Sequence, residues 1–163
     1  MRKVVRVLCY LKELCLMAFF KLFGAACRCC SAKYRELWLV CERGNDARDN
    51  GYWFYRYLKE KHPEINARYV IETDSADRAK IEALGGMVPR GSFSHYLAYY
   101  CADFLIGTHV QHCAPDLILF YHLAGKGIRS RGKQVFLQHG IIKDEMEWLH
   151  RKNMYMDLFV CGA

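Results

Sequence analysis

The 163-residue chain has no charge-free run approaching the roughly 20 apolar residues that span a bilayer. It therefore holds no transmembrane helix. It contains neither GxGxxG nor GxxxxGKS, so nucleotide binding through a glycine-rich phosphate loop has no support. It has only three prolines, no internal repeat and no low-complexity linker, which argues against a string of modules. It does have nine cysteines, but without a signal-peptide cleavage pattern, and Cys9, Cys15, Cys41, Cys101, Cys113 and Cys161 are scattered through apolar segments. These are expected to be reduced, mostly buried, cytoplasmic thiols. Cys27-Arg28-Cys29-Cys30 lacks the second ligand pair that a structural zinc site needs, and no metal and no cofactor is expected.

Acidic residues are nearly absent from the first thirty positions. Arg2, Lys3, Arg6, Lys12, Lys21 and Arg28 stand there against Glu13 alone, so this segment carries +5 of the net +7. On a helical wheel all of them except Lys12 fall within an arc of about 100°, facing a broad surface of Leu, Val, Phe, Met, Cys and Tyr. A basic face opposite an aliphatic and aromatic one suits a helix lying in the interface of an anionic membrane. The alternative is a terminal helix packed on its own domain or on a partner subunit. Concentrating the positive charge in an apolar helix, rather than across a groove, speaks against nucleic-acid binding.

From residue 31 the periodicity changes. Apolar runs at 37–41, 67–72, 87–89, 103–107, 133–137 and 157–162 read as strands. Between them 52–62, "SADRAKIEALGG", "SFSHYLAYYCA" and "PDLILFYHLAGKG" read as helices. Such alternation predicts an α/β fold, a Rossmann-like parallel sheet with helices on both faces. The division expected is a basic amphipathic helix over 1–32 and a Rossmann-like domain over 33–163.

Ligands of such sheets bind beyond the carboxyl ends of the strands. There the chain places "ERGNDARDNG", "THVQH" and "QHG". Asp46, Arg48, Asp49, Asn50, His109 and His139 would share one rim if these strands are neighbours. Simpler roles exist for each. The first segment could be a turn with an N-cap, Gly44 and Gly51 permitting positive φ, and His139 could hold a loop through its ring nitrogens. His109, His112 and Cys113 resemble a metal cluster but lack an acidic partner at defined spacing, and hydrogen bonding suits His112 better. Gly140 would let a ligand approach the backbone, with the following amides aimed at an anion.

"LWLVCERGNDARDNGYWFYRYLKEKHPEINARYVI", "SFSHYLAYYCADFLIGTH" and "KQVFLQHGIIKDEMEWLHRKNMYMDLFVCGA" resemble the amino-terminal half of the CDP-glycerol glycerophosphotransferase family, the teichoic-acid primases and polymerases of bacterial envelopes. The resemblance covers roughly residues 35–163. It implies the acceptor-side half of a two-domain GT-B fold, peripheral on the cytoplasmic face of the membrane, transferring glycerol phosphate from CDP-glycerol to a lipid-linked polyol-phosphate or glycan acceptor. It assigns the catalytic base to His139; from their place at the strand ends and the needs of such a transfer, Asp46, Arg48, Asp49, Asn50, His109, Gln138 and Gly140 are expected to bind acceptor or support the base. Gln138 departs from the tryptophan that many members carry before His-Gly, which touches acceptor choice rather than fold. The family's donor-binding domain would follow the last strand, where this chain stops at Gly162-Ala163, so a separate donor half or a homo-oligomer is left open. A GT-B sugar transferase of surface polysaccharide and a non-catalytic membrane-binding module are the alternatives.

Overall fold

The structure is a computed structural model that describes residues 2–110, 113–116, 130–140, 145–147, 150 and 156–161, with the backbone alone for 2–6. A long helix α1 (Arg2–Cys30) and a 3-10 turn (Ala32–Tyr34) lead into alternating strands and helices: β1 (Trp38–Cys41), α2 (Asn50–Lys61), β2 (Ala67–Ile71), α3 (Arg78–Leu84), β3 (Met87–Pro89) and α4 (Phe93–Cys101). Three strands complete it: β4 (Phe104–Gly107), β5 (Lys133–Leu137) and β6 (Leu158–Val160). The helix expected over "PDLILFYHLAGKG" falls almost wholly outside the described residues.

All six strands are parallel and lie in the order β3-β2-β1-β4-β5-β6. This is the Rossmann-like order, in which the chain winds outward from β1 in one direction and then restarts at β4 in the other. Side chains alternate along each strand between the two faces. Leu39, Cys41, Val70 and Leu105 join α4 and Phe20 of α1 in one core. Val40, Tyr69, Ile71 and Ile106 join Tyr55 and Leu58 of α2 and Ile81 of α3 in the other. Both faces of the sheet are thus covered, as an all-parallel sheet requires.

The helix boundaries follow local chemistry. α2 begins two residues before the apolar pattern does, because Asp49 takes the N-cap position and its carboxylate accepts from the Asn50 amide. α3 is shorter than its pattern: Ser75 Oγ accepts from Asp77 N and donates to Asn45 O, which holds the preceding residues in a turn. Gly85 and Gly86 then end it with positive φ.

α1 packs on α4 through Phe20, which is 4% exposed, stacks on Tyr96 at 5.1 Å between ring centres and meets Phe93 tilted at 5.0 Å. Gly24 lets the helices close, with Cys101 Sγ donating to its carbonyl. Glu13 and Arg28 of the charged arc turn towards the domain. Arg28 pairs with Asp103 at 3.2 Å, and Glu13 lies beside Tyr96. The opposite surface, Val7, Leu8, Leu11, Phe19, Leu22 and Phe23, faces outward, with Leu22 78% and Phe19 51% exposed. The expectation that the cysteines are mostly buried is corrected by this one-sided packing. Cys41, Cys101 and Cys113 are buried, but Cys9, Cys15, Cys29 and Cys30 of α1 and Cys161 are exposed.

His95, fully buried in α4, ties the turn after β3 to the segment after β4: its Nε2–H donates to the Cys113 carbonyl at 2.8 Å and its Nδ1 accepts from the Gly91 amide at 3.0 Å. With both nitrogens so used the ring is neutral, and burial pushes it down from 6.5 to about 4. The folded state resists a proton that the unfolded chain accepts below 6.5, so stability should decline as pH falls from about 6.5 to 4. Chemical denaturation across that window should show the slope, and His95→Gln should flatten it. Separately, Phe20→Ala should lower stability by about 3 kcal/mol, with amide exchange in α1 accelerating before that of the sheet.

Candidate functional site

The parallel register decides which residues meet. Cys41 pairs with Gly107, and Gly107 with Phe136, so the segments leaving β1, β4 and β5 start from one level at the carboxyl edge. Between β1 and β4 the winding reverses, and chain ends diverge there to leave a crevice. An opening of about 280 Å³ occupies that place, lined by Glu42, Arg43, Asp46, Arg48, Asp49, His109 and His139. A larger one of about 420 Å³ lies at the amino ends of the strands beside Trp38, Asp103, Phe104, Arg131 and Lys133. Convergence of titratable groups, rather than size, marks the first as the candidate site.

Glu42 organises the loop that follows β1. It is 5% exposed, and its two oxygens accept from the backbone amides of Arg48 at 2.9 Å, Asp49 at 3.0 Å and Tyr52 at 2.7 Å. Burial pushes its carboxyl up, and the three amides oppose that shift by bonding the charged form. Asp77 performs the parallel task from the head of α3. Its carboxylate accepts from Ala47 N at 3.1 Å and Arg48 Nε at 2.6 Å, and pairs with Lys80 at 3.1 Å. Gly44 adopts φ +98 within this loop, as its expected role requires. Gly51 does not: its φ is ordinary, and it is needed for space instead, since a Cβ there would meet Glu42 Cγ at 2.9 Å.

The loop delivers Asp49 to His139. Asp49 Oδ1 accepts from the Asn50 amide, while Oδ2 pairs with His139 Nδ1. Asn50 Nδ2 donates to the Gln138 carbonyl, so two bonds tie the start of α2 to the end of β5. His139, whose side chain is 51% exposed, thereby has Nδ1 engaged and the Nε2 edge directed away from that partner. Gly140 follows with φ +67, and a Cβ there would meet nothing within 4 Å, so the turn is open. The amides expected to face an anion, at 141–144, lie outside the described residues.

His109 sits 5.3 Å from His139, ring centre to ring centre, but its partners are of the opposite kind. Arg43 Nε donates to its Nε2 at 3.0 Å, and its Nδ1 lies 3.0 Å from Thr108 Oγ1. Because a guanidinium only donates, Nε2 must be the acceptor and Nδ1 the protonated nitrogen. Burial first, and then the Arg43 guanidinium, holds His109 below its ordinary value. One imidazole is therefore kept neutral by a cation while its neighbour faces a carboxylate. A carboxylate bonded to Nδ1–H aligns the ring and stabilises a proton arriving on Nε2, the arrangement of a general base.

Six of the eight residues chosen from the sequence, Asp46, Arg48, Asp49, Asn50, His109 and His139, lie at this rim; Gln138 joins it through its backbone carbonyl and Gly140 follows His139 in the turn. Asp46 contributes its carbonyl to Tyr69 Oη and lies 3.9 Å from Arg43. Arg48 is drawn towards Asp77. Glu42, Arg43, Asp77 and Thr108 were missed. Glu42 had a legible signal, since an acidic residue ending a buried strand needs donors, and an N-capped helix follows it. Asp77 had none, because it arrives from another β-α unit. Cys113, one member of the metal-like cluster, is a buried thiol donating to the carbonyls of Leu39 and Ile106, pushed up by burial. His112 lies outside the described residues.

No family model matches the chain, and no solved structure does. Over 130 residues, 79% of the chain, it is 27% identical to the minor teichoic acid biosynthesis protein GgaB of Bacillus subtilis (strain 168). The matched part amounts to 14% of that protein, so the chain spans only a small share of its relative's length. At this identity the kinship with a teichoic-acid biosynthesis protein is a distant one.

Acid should undo the loop before the sheet. Burial alone would raise the Asp77 carboxyl, but the bonds from Arg48, Ala47 and Lys80 prevail and hold it down from 3.8 to about 2. A group depressed in this way stabilises the fold above its unfolded value and stops doing so as pH falls from about 4 to 2. Denaturation of Asp77→Asn should lack that acid-dependent step and start from a lower stability at pH 7.

Proposed function

We propose that the chain forms the acceptor-side, base-bearing part of a glycerophosphotransferase of cell-surface polymer synthesis, acting on CDP-glycerol and a lipid-linked acceptor. The observation that carries this reading is the Asp49–His139 pair at the switch point of the sheet, with the Nε2 edge of the imidazole turned from its partner. The distant likeness to GgaB supports the polymer class.

In the reaction the acceptor hydroxyl attacks the β-phosphorus of CDP-glycerol. The new P–O bond forms as the bond to the CMP oxygen breaks, CMP leaves with the electron pair, and the hydroxyl proton passes to His139 Nε2. Asp49 holds the Nδ1–H form and balances the imidazolium. His109, held neutral by Arg43, adds no positive charge to oppose that proton. Arg43 and Arg48 at the crevice offer donors to acceptor phosphate.

The same proposal places the segment 1–32 on the membrane that carries a lipid-linked acceptor. No described helix is long and apolar enough to cross a membrane. The outward apolar face of α1, continued by exposed Phe93 and flanked by exposed Lys12 and Lys21, supports shallow insertion beside anionic headgroups.

With a donor-binding half supplied, His139→Ala should lower CMP release from CDP-glycerol by about 10²- to 10⁴-fold while circular dichroism and melting of the chain stay unchanged, because the side chain is half exposed. Asp49→Asn keeps a competent helix cap but should still reduce turnover by on the order of 10²-fold through the wrong tautomer. Undiminished turnover in His139→Ala removes the base role, and release of UDP or GDP from sugar nucleotides instead of CMP moves the protein to the sugar transferases. In flotation with phosphatidylglycerol vesicles, Phe19→Glu with Leu22→Glu should weaken binding at least roughly tenfold, since each buried CH₂ contributes about 0.8 kcal/mol.

A further inference from the structure

The start of α2 has an unusual division of labour between two carboxylates. In most helices the N-cap side chain accepts from the amide two or three residues into the helix. Tyr52 supplies that amide here, yet it donates to Glu42 Oε1 at 2.7 Å and not to the side chain of the N-cap, Asp49. Asp49 also gives its own amide to Glu42 Oε1, at 3.0 Å. Its carboxylate is thus relieved of the usual capping bond, and Oδ2 reaches across to His139 Nδ1.

We propose that Glu42 is a positioning residue for the candidate site: by capping α2 in place of Asp49 it releases Asp49 Oδ2 to hold His139 as the Nδ1–H tautomer. The inference rests on the base role given to His139 above, but the geometry it concerns is separable from turnover. Gly51 supports it independently. Its backbone would tolerate any residue, yet a Cβ would come within 2.9 Å of Glu42 Cγ and 3.2 Å of Oε1, so glycine at this position reserves the seat of that carboxylate. Glu42 and Gly51 act as one device, which seats a buried acceptor under the first turn of the helix. If Glu42 were only an adhesive for the loop, Asp49 would keep its contact with His139 by virtue of its N-cap position alone.

The ring tautomer distinguishes the two, and it can be read by nitrogen-15 NMR of histidine-labelled protein, with His139→Ala assigning the signal. The wild-type ring should carry its proton on Nδ1. In Glu42→Ala and in Gly51→Ala, Asp49 should swing back to cap Tyr52, and His139 should revert to the Nε2–H form that a free histidine ring prefers in water. Glu42→Gln should keep the Nδ1–H form, because its remaining oxygen can still take the Asp49 and Tyr52 amides, while its NH2 loses only the bond from the Arg48 amide. In CMP-release assays the two alanine variants should lose at least about tenfold in kcat, with little change in KM. Should Glu42→Ala not fold, Gly51→Ala still decides, since it retains the carboxylate and only displaces it. Persistence of the Nδ1–H form in a folded alanine variant overturns the positioning role, whatever the wild-type activity. A tautomer shift with unchanged turnover supports the positioning role and overturns the base assigned to His139.

Discussion

Parallel pairing of β1 with β4 and of β4 with β5 fixes which residues can meet. The ladder places Cys41, Gly107 and Phe136 in one row, so whatever follows them emerges at one level and in one direction. The reversal of winding between β1 and β4 then opens a gap at the carboxyl edge. A slip of one residue in β4 would turn Ile106 and Leu105 to the wrong cores and lift His109 away from Arg43. The site therefore inherits its precision from the same hydrophobic alternation that stabilises the sheet.

Within that frame, electrostatics separates two neighbouring imidazoles. Burying carboxylates is costly unless donors surround them; Glu42 and Asp77 are satisfied chiefly by amides and a cation of the loop after β1, with Tyr52 of α2 and Lys80 of α3 completing them. That loop cannot move without leaving several buried groups unpaired. Its rigidity carries Asp49 to one histidine, while Arg43 from the same loop goes to the other. One short segment thus gives one imidazole a carboxylate partner and its neighbour a guanidinium partner.

α1 shows how one amphipathic pattern admits more than one use. Glu13 and Arg28 of its charged arc are directed inward, where Arg28 meets Asp103, and Phe20 and Gly24 fit the surface of α4. The outward side is apolar, flanked by Lys12 and Lys21. The wheel finds two unlike faces but cannot orient them, because orientation depends on the complementary surface supplied by α4, about eighty residues further along the chain.

The amino-acid sequence alone determined the strands, the described helices and the parallel arrangement, because alternation and spacing are local properties that tertiary contacts had no reason to override here. It also marked the segments that carry the site, since chemistry in such sheets follows the strands. Tertiary structure alone decided that Glu42 caps α2, that Gly51 is required for space and not for its φ, that Asp77 joins the loop from α3, and that His109 and His139 receive partners of opposite charge. Each of these depends on distances between residues remote in the chain, and periodicity carries no record of distance.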